Sequence, residues 1–212
     1  MACSERVPIY ALCSPTHSAL RDEFFLPSLP ENLEPRIREC DIPQRDGGVY
    51  GSRSFLHAVR LKVDMVQDAI RAHWGDIFIV SDVDIVFFRS FDPRACLTDG
   101  LDLIAQKNGD KRHNYCAGFY VCRANSATEA LMAALRDRLA AIPDVTEQRL
   151  FNELSARIGI RRAHLPTTFC NPMGREDWKD HIPDDLVLFH ANWNRGIEAK
   201  QADLAYVRKR FS

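Results

Sequence analysis

Gly75–Arg89 reads GDIFIVSDVDIVFFR, an apolar run that passes directly into two carboxylates separated by one residue. Ile77, Phe78, Ile79 and Val80 predict a buried strand, continuing through Ser81 to Asp84 and resuming at Ile85–Phe88. On an extended chain, side chains two apart point the same way, so Asp82 and Asp84 share one side while Val83 faces the other. Two acids at the end of a buried strand raise the free energy unless a cation neutralises them.

An isolated Asp-x-Asp more often caps a turn than holds an ion. What precedes this one changes its meaning. Phe55, Val59, Val63, Val66 and Ile70 recur at helical spacing, with Ser52 or Ser54 as cap and Gly75 as stop. A helix feeding a buried strand predicts an α/β fold with a mainly parallel central sheet flanked by helices. Ligands of such sheets gather outside the carboxyl ends of the strands, where Asp82 and Asp84 fall.

The remaining pattern extends this layout in both directions. Val7–Cys13 is a first strand that breaks at Ser14 and Pro15, Leu33–Cys40 a second, and Asp46, Gly47 and Gly48 form a turn. Leu101–Gln106 and Tyr115–Arg123 are strands joined by the polar loop Lys107–Asn114. Ser126 and Glu129 form a capping box for a helix through Leu131, Ala134, Leu135 and Leu139 that Pro143 ends. Another helix runs from Glu147 to Gly159, Leu186–Phe189 is a strand ending at His190, and a basic helix starts at Ile197.

With 212 residues, 46% hydrophobic and 27% charged, the chain can bury one continuous core, so a single domain is expected over 1–212. Lys and Arg number 28 against 29 Asp and Glu. That balance leaves no global field to attract nucleic acid or anionic lipid. Met1–Pro15 lacks the apolar run of a signal peptide and no window is long enough to span a bilayer, which predicts a cytoplasmic protein without a transmembrane segment. The seven cysteines are odd in number and none lie in a Cys-x-x-Cys pair, so they read as buried reduced thiols.

His190 closes the strand LVLFH ahead of the polar, aromatic loop Ala191–Gly196. Two carboxylates and one imidazole, completed by ligand oxygens, suit a hard octahedral divalent ion, and the imidazole favours manganese over magnesium. Asp82 and Asp84 would already balance that ion, so a bound diphosphate needs further cations. Lys62, Arg60, Arg195 and Lys200 are the candidates.

Several stretches occur together in order: the helix with Lys62, IVSDVDIVFF with Arg89 and the FDP of Phe91–Pro93, CAGFYVCRAN (Cys116–Asn125), TEQRLFNEL (Thr146–Leu154) and HANWNRG (His190–Gly196). The chain from Ser54 onward thereby resembles the nucleotide-diphospho-sugar transferases of the GT-A fold with an Asp-x-Asp motif. The resemblance implies that Asp82, Asp84 and His190 hold Mn2+ (or Mg2+) bridging the diphosphate of a nucleotide-sugar donor, by family habit a UDP-sugar. It implies a nucleotide-binding part over about 1–90, with Ala11 to Ser14 seating the base, and an acceptor part over about 91–212. Lys62, Ser81, Asn192, Arg195 and Gly196 would complete the donor contacts.

Gly118 would lie beneath the donor sugar, or else be a strand glycine that accommodates a neighbour. The family usually has Asp before Gln; here Glu147 precedes Gln148, which keeps a carboxylate in the expected catalytic pair, and Asp177 is another candidate. The metal would act as Lewis acid toward the departing nucleoside diphosphate. A glycan or other hydroxyl acceptor would meet the Lys107–Asn114 loop and Trp178 or Trp193. Surface polysaccharide or glycoconjugate synthesis is the implied setting, and the C-terminal AYVRKRFS could touch a membrane surface or lead into a further domain. Competing classes are a haloacid dehalogenase-like phosphatase or phosphotransferase, which normally carries Asp-x-Asp on its first strand, and a non-catalytic sugar-nucleotide-binding module.

Overall fold

A computed structural model describes residues 6–42, 52–109, 114–142, 145–193 and 196–211. The turn expected at Asp46–Gly48, the helix stop at Pro143, residues 110–113 of the Lys107–Asn114 loop and Arg195 lie outside these residues.

β1 (Val7–Cys13) ends where Ser14 and Pro15 interrupt it. A helical stretch follows, made of α1 (Ser18–Leu20), a wider π turn at Arg21–Phe25 and α2 (Leu26–Ser28), and it buries Leu20, Phe24 and Phe25. Its pieces are too short for an apolar period to repeat, so sequence periodicity does not reveal it. β2 (Leu33–Glu39) pairs parallel with β1 along its whole length. α3 (Arg53–Ala72) is the expected amphipathic helix, and Ser52 rather than Ser54 caps it, accepting the Phe55 N–H at 3.2 Å. Gly75, at φ +85°, then turns the chain into β3 (Ile77–Ser81).

β4 (Ile85–Phe87) follows directly after the two acids, then α4 (Pro93–Cys96), β5 (Leu103–Lys107) and β6 (Tyr115–Arg123). α5 (Ser126–Ala141) carries a capping box one residue earlier than expected. The Asn125 side chain accepts the Thr128 N–H at 3.0 Å while Thr128 Oγ1 accepts the Asn125 N–H at 3.2 Å. Ser126 and Glu129 are therefore not the cap: Ser126 already has helical geometry, and the reciprocal bonds need partners three apart starting at the last non-helical residue. α6 (Glu147–Ile158) ends at left-handed Gly159, and β7 (Arg162–His164), β8 (Phe169–Cys170), β9 (Leu188–His190) and α7 (Ile197–Phe211) complete the described chain.

The central sheet has the order β2-β1-β3-β6-β5-β7. Only β6 runs against the others, antiparallel to both β3 and β5, so the sheet is mainly parallel as expected. Both faces are covered. Phe78 and Val80 pack among residues of α3, α5 and α6 on one side, while Ile77 and Ile79 join β4, β9 and α7 on the other. Each such large apolar side chain, once buried, contributes roughly 1.5–3 kcal/mol. β4, β9 and β8 form a second, three-stranded sheet; β4 and β9 are the strands expected near Ile85–Phe88 and Leu186–Phe189, whereas two-residue β8 carries no alternation to read and the separation of β4 from the central sheet is not predicted. No helix among the described residues is long and apolar enough to cross a membrane. The six described cysteines are free.

Candidate active site

The second sheet brings the site together. Ile85 of β4 pairs with His190 of β9, and Ala191 N–H donates to the Asp84 carbonyl at 2.9 Å. On the other side, Asp82 N–H donates to the Gly118 carbonyl of β6 at 2.7 Å. His190 Nε2 consequently lies 3.2 Å from Asp84 Oδ1 and 3.7 Å from Asp82 Oδ2. One ligand atom from each of the three side chains falls within 4.8 Å of the others. Asp84 and His190 are buried, but the Asp82 side chain is 40% exposed, so the cluster opens to solvent through Asp82.

Gly118 accommodates these neighbours. A Cβ there would overlap Asp82 Oδ2 and come within 2.5 Å of His190 Cε1. The two side chains lie where a Cβ would be, so the strand needs glycine at this position.

A buried amide sets the imidazole. Gln106 Nε2 donates to the Phe169 and Cys170 carbonyls at 3.0 and 2.8 Å, which fixes its orientation and turns Oε1 toward His190 Nδ1 at 2.8 Å. An oxygen can only accept there, so Nδ1 carries the proton and Nε2 is the atom directed at the carboxylates. Nε2 is buried and has no hydrogen-bond partner among the described residues. Asp84, 3.2 Å away, still pairs with it as an ion: burial opposes the charge, but Asp84 raises the His190 pKa to about 10, and a divalent cation beside the two carboxylates would take the place of that Nε2 proton.

Two lysines neutralise the acids in this state. Buried Lys62 donates to Asp82 Oδ1 at 2.7 Å and to the Ala117 carbonyl at 2.8 Å, with Glu147 Oε2 at 3.7 Å. Burial alone would lower its pKa, but Asp82 and Glu147 outweigh burial and raise it. Glu147 moves the other way from an ordinary carboxyl: burial pushes it up to about 7 against the pull of Lys62. Lys200 of α7 pairs with Asp84 Oδ2. Burial opposes the charge on Asp84, yet Lys200 and His190 hold its pKa well below the carboxylate range.

The other expected positions divide. Ser14 accompanies the cluster through His17, whose Nδ1 is 2.8 Å from Ser14 Oγ; burial and the charge of Lys200 lower the His17 pKa. Ala11 is wholly buried in β1, between Ile37 and Ser81, so its side chain faces the core. Ser81 spends its hydroxyl on the Asp82 carbonyl at 2.8 Å. Gln148 accepts the Ala117 N–H at 2.9 Å and donates to the Tyr115 carbonyl at 2.5 Å, bracing β6. Asn192 approaches Cys116 and Asn108, and Gly196, at φ +87°, opens the turn into α7.

Arg60 is not at the site: it donates to the Leu139 carbonyl at the end of α5. Asp177 is exposed and paired with Arg175 and His181, which hold its pKa at about 2. Trp178 is half-buried and stacks on core residue Phe189 at 4.9 Å, whereas Trp193 is exposed. Gln106 and His17 carry no sequence signal as site residues, since neither belongs to a motif and each acts through a partner distant in the chain or in a short helical turn.

The family profile described as nucleotide-diphospho-sugar transferase matches residues 22–204. The chain belongs to that family. The transferase resembles apo glycosyltransferase GlyE of Streptococcus pneumoniae TIGR4 at a TM-score of 0.60 and 13% identity, over 98% of this chain and 64% of that one. A second GlyE structure gives 0.57 and 12%, over 97% and 63%. The chain thus spans less than two thirds of the GlyE chains. A glycosyltransferase involved in glycosylation of the major capsid of PBCV-1 gives 0.61 and 12%, over 95% of this chain and 99% of that one. At these identities the likeness is one of fold. No curated protein matches the transferase.

Proposed function

We propose that this transferase moves a sugar from a UDP-sugar to a hydroxyl of a glycan or glycoconjugate, with Mn2+ held by Asp82, Asp84 and His190. The observation that carries the proposal is the convergence of buried His190 Nε2 on both carboxylates, 3.2 Å from Asp84 and 3.7 Å from Asp82, with one ligand atom of each side chain within 4.8 Å of the others. When bound, the ion would act as Lewis acid on the diphosphate oxygens, where negative charge grows as the glycosidic bond to phosphate breaks.

The protein's own groups organise the rest. Lys200 is freed from Asp84 once a dication neutralises that carboxylate, and its ammonium is then available to the diphosphate. Ser14 and His17, at the mouth of β1, lie on the nucleotide side. Lys62 stays beneath Asp82 and fixes it, while Glu147 fixes Lys62 and, with a pKa near neutrality, can exchange a proton at working pH. Free cysteines support a reducing compartment, in keeping with a cytoplasmic enzyme.

Calorimetry of UDP with and without Mn2+, on wild type and Asp84→Ala, tests this. Manganese-dependent UDP binding that Asp84→Ala abolishes is expected, followed by release of UDP from UDP-sugars. Equal binding without metal would overturn the ligand assignment, and tight binding with no turnover on any donor would favour a binding module.

A further inference from the structure

Trp193 is 54% exposed and sits three residues beyond His190 with φ +70°, a left-handed conformation that costs a residue with a Cβ about 1 kcal/mol or more. The indole is fixed in spite of that cost. Its Nε1 donates to Oδ1 of buried Asn108 at 2.8 Å. One side lies on Gly174, where an added Cβ would approach Cε3 to 3.0 Å, and Cζ2 passes Gly109, where an added Cβ would lie at 3.6 Å.

The supporting loop is also bent into the left-handed region. Met173, before Gly174, has φ +51° and is held by Asn171 Oδ1, which accepts its N–H at 2.9 Å. Beside the indole, Asn192 Oδ1 is buried with no hydrogen-bond partner among the described residues, although Asn192 Nδ2 lies 3.5 Å from Asn108 Oδ1. A side chain that merely filled the core would need neither the exposure nor the strained support.

A pyranose presents a flat C–H face for an aromatic ring and hydroxyls for neutral amides. The contacts of Trp193 come from the segments after β5 and β8, and none comes from the β1 loop on the nucleotide side. We propose that Trp193 is the platform of an acceptor subsite for a neutral pyranose glycan, with Asn192 Oδ1 accepting one of its hydroxyls. This rests on the transferase reading above.

Saturation-transfer NMR on the full chain with lactose, cellobiose and maltose at millimolar concentration, with and without UDP and Mn2+, tests the platform. At least one disaccharide should receive saturation from wild type, falling at least fivefold in Trp193→Ala and less in Trp193→Phe, which keeps a ring on Gly174 and loses only the Nε1 bond to Asn108, so it should stay folded with a modest drop in thermal midpoint. UDP affinity in the presence of Mn2+ should be the same in all three proteins. No transfer to any of the three sugars, or equal transfer in Trp193→Ala, overturns the platform. A loss of UDP affinity in Trp193→Ala matching the loss of saccharide signal overturns its assignment to the acceptor. Wild type that fails to bind UDP with Mn2+ overturns the transferase reading instead.

Discussion

Gln106 Oε1 accepts a hydrogen bond from His190 Nδ1 at 2.8 Å, and the two carbonyls that hold the Gln106 amide leave it no other orientation. The face of the histidine that points at Asp82 and Asp84 is thus set by a residue of β5 that bonds to neither carboxylate. Replacing Gln106 with Leu removes the orienting acceptor and strands two carbonyls. Affinity for Mn2+ with UDP should fall about 10- to 100-fold, and stability by about 1–3 kcal/mol. Paired calorimetry and urea denaturation separate the two effects.

Gly118→Ala inserts a methyl group where Asp82 and His190 already meet. The fold should survive, since Gly118 has ordinary strand geometry and β6 is held on both sides. Metal-dependent UDP binding should drop at least tenfold with the far-ultraviolet spectrum unchanged; undiminished binding would show that the two side chains sit elsewhere.

Lys62→Met leaves Asp82 and Glu147 without their shared cation. Because Asp82 still reaches water and Glu147 can take up a proton, the loss of stability at neutral pH should be about 2–4 kcal/mol, toward the low end for a broken buried pair. Removing Lys62 also removes what lowers the Glu147 pKa, so that carboxyl should titrate higher than its present value of about 7. Carbon-detected NMR of the Glu side chains would follow it.

Asp102, at the start of β5, accepts from Arg161 N–H, Nε and Nη2 at 3.0, 3.0 and 2.8 Å and from Asn125 Nδ2 at 2.9 Å. The Arg161 hydrogen bonds hold its pKa at about 2. The folded carboxyl is thus more acidic than the unfolded one, so its contribution is complete above about pH 4 and disappears as pH falls toward 2. Asp102→Asn should be less stable at pH 7 and should lose that part of the acid slope. Denaturant midpoints measured from pH 7 down to 2 would reveal an unchanged slope if the pairing is unimportant.

Asn125→Ala should cost about 1 kcal/mol through loss of the α5 cap, whereas Ser126→Ala should change stability by only a few tenths. Thermal unfolding of the two variants side by side discriminates the cap from its neighbour; equal losses would refute the assignment.

Legibility in the sequence followed the length of each periodic signal. α3, β1, β3 and β6 are long enough to show their spacing, and His190 ends β9 as expected; β3, however, stops at Ser81, so Asp82 and Asp84 lie in the bend before β4 rather than on a strand extended through Asp84, and backbone bonds to Gly118 and Ala191 place them. β4 and β9 were readable as apolar runs, but β8 and the pieces between Pro15 and Ser28 are too short to announce themselves, and the pairing of β4 with β9 joins parts of the chain about a hundred residues apart, so the second sheet was not legible as a sheet. Lys62 and Arg60, two residues apart on one helix, look alike as sequence, yet helical rotation buries Lys62 under Asp82 and sends Arg60 to α5. Gln106 was silent because its importance depends on His190, a contact between distant parts of the chain. Trp178 and Trp193 were equivalent candidates until packing laid one against the core.

The pairing of Ile85 with His190 also gives the site a place in the order of folding. The two carboxylates leave the ribosome roughly a hundred residues before the imidazole that completes them, and a contact of such separation is among the slowest a chain of this size makes. A nascent chain can form β1 through β3 and still have no ion site. Capture of the proposed metal would therefore report that β9 has closed onto β4, and its binding energy would hold shut a contact that closes a long loop of chain.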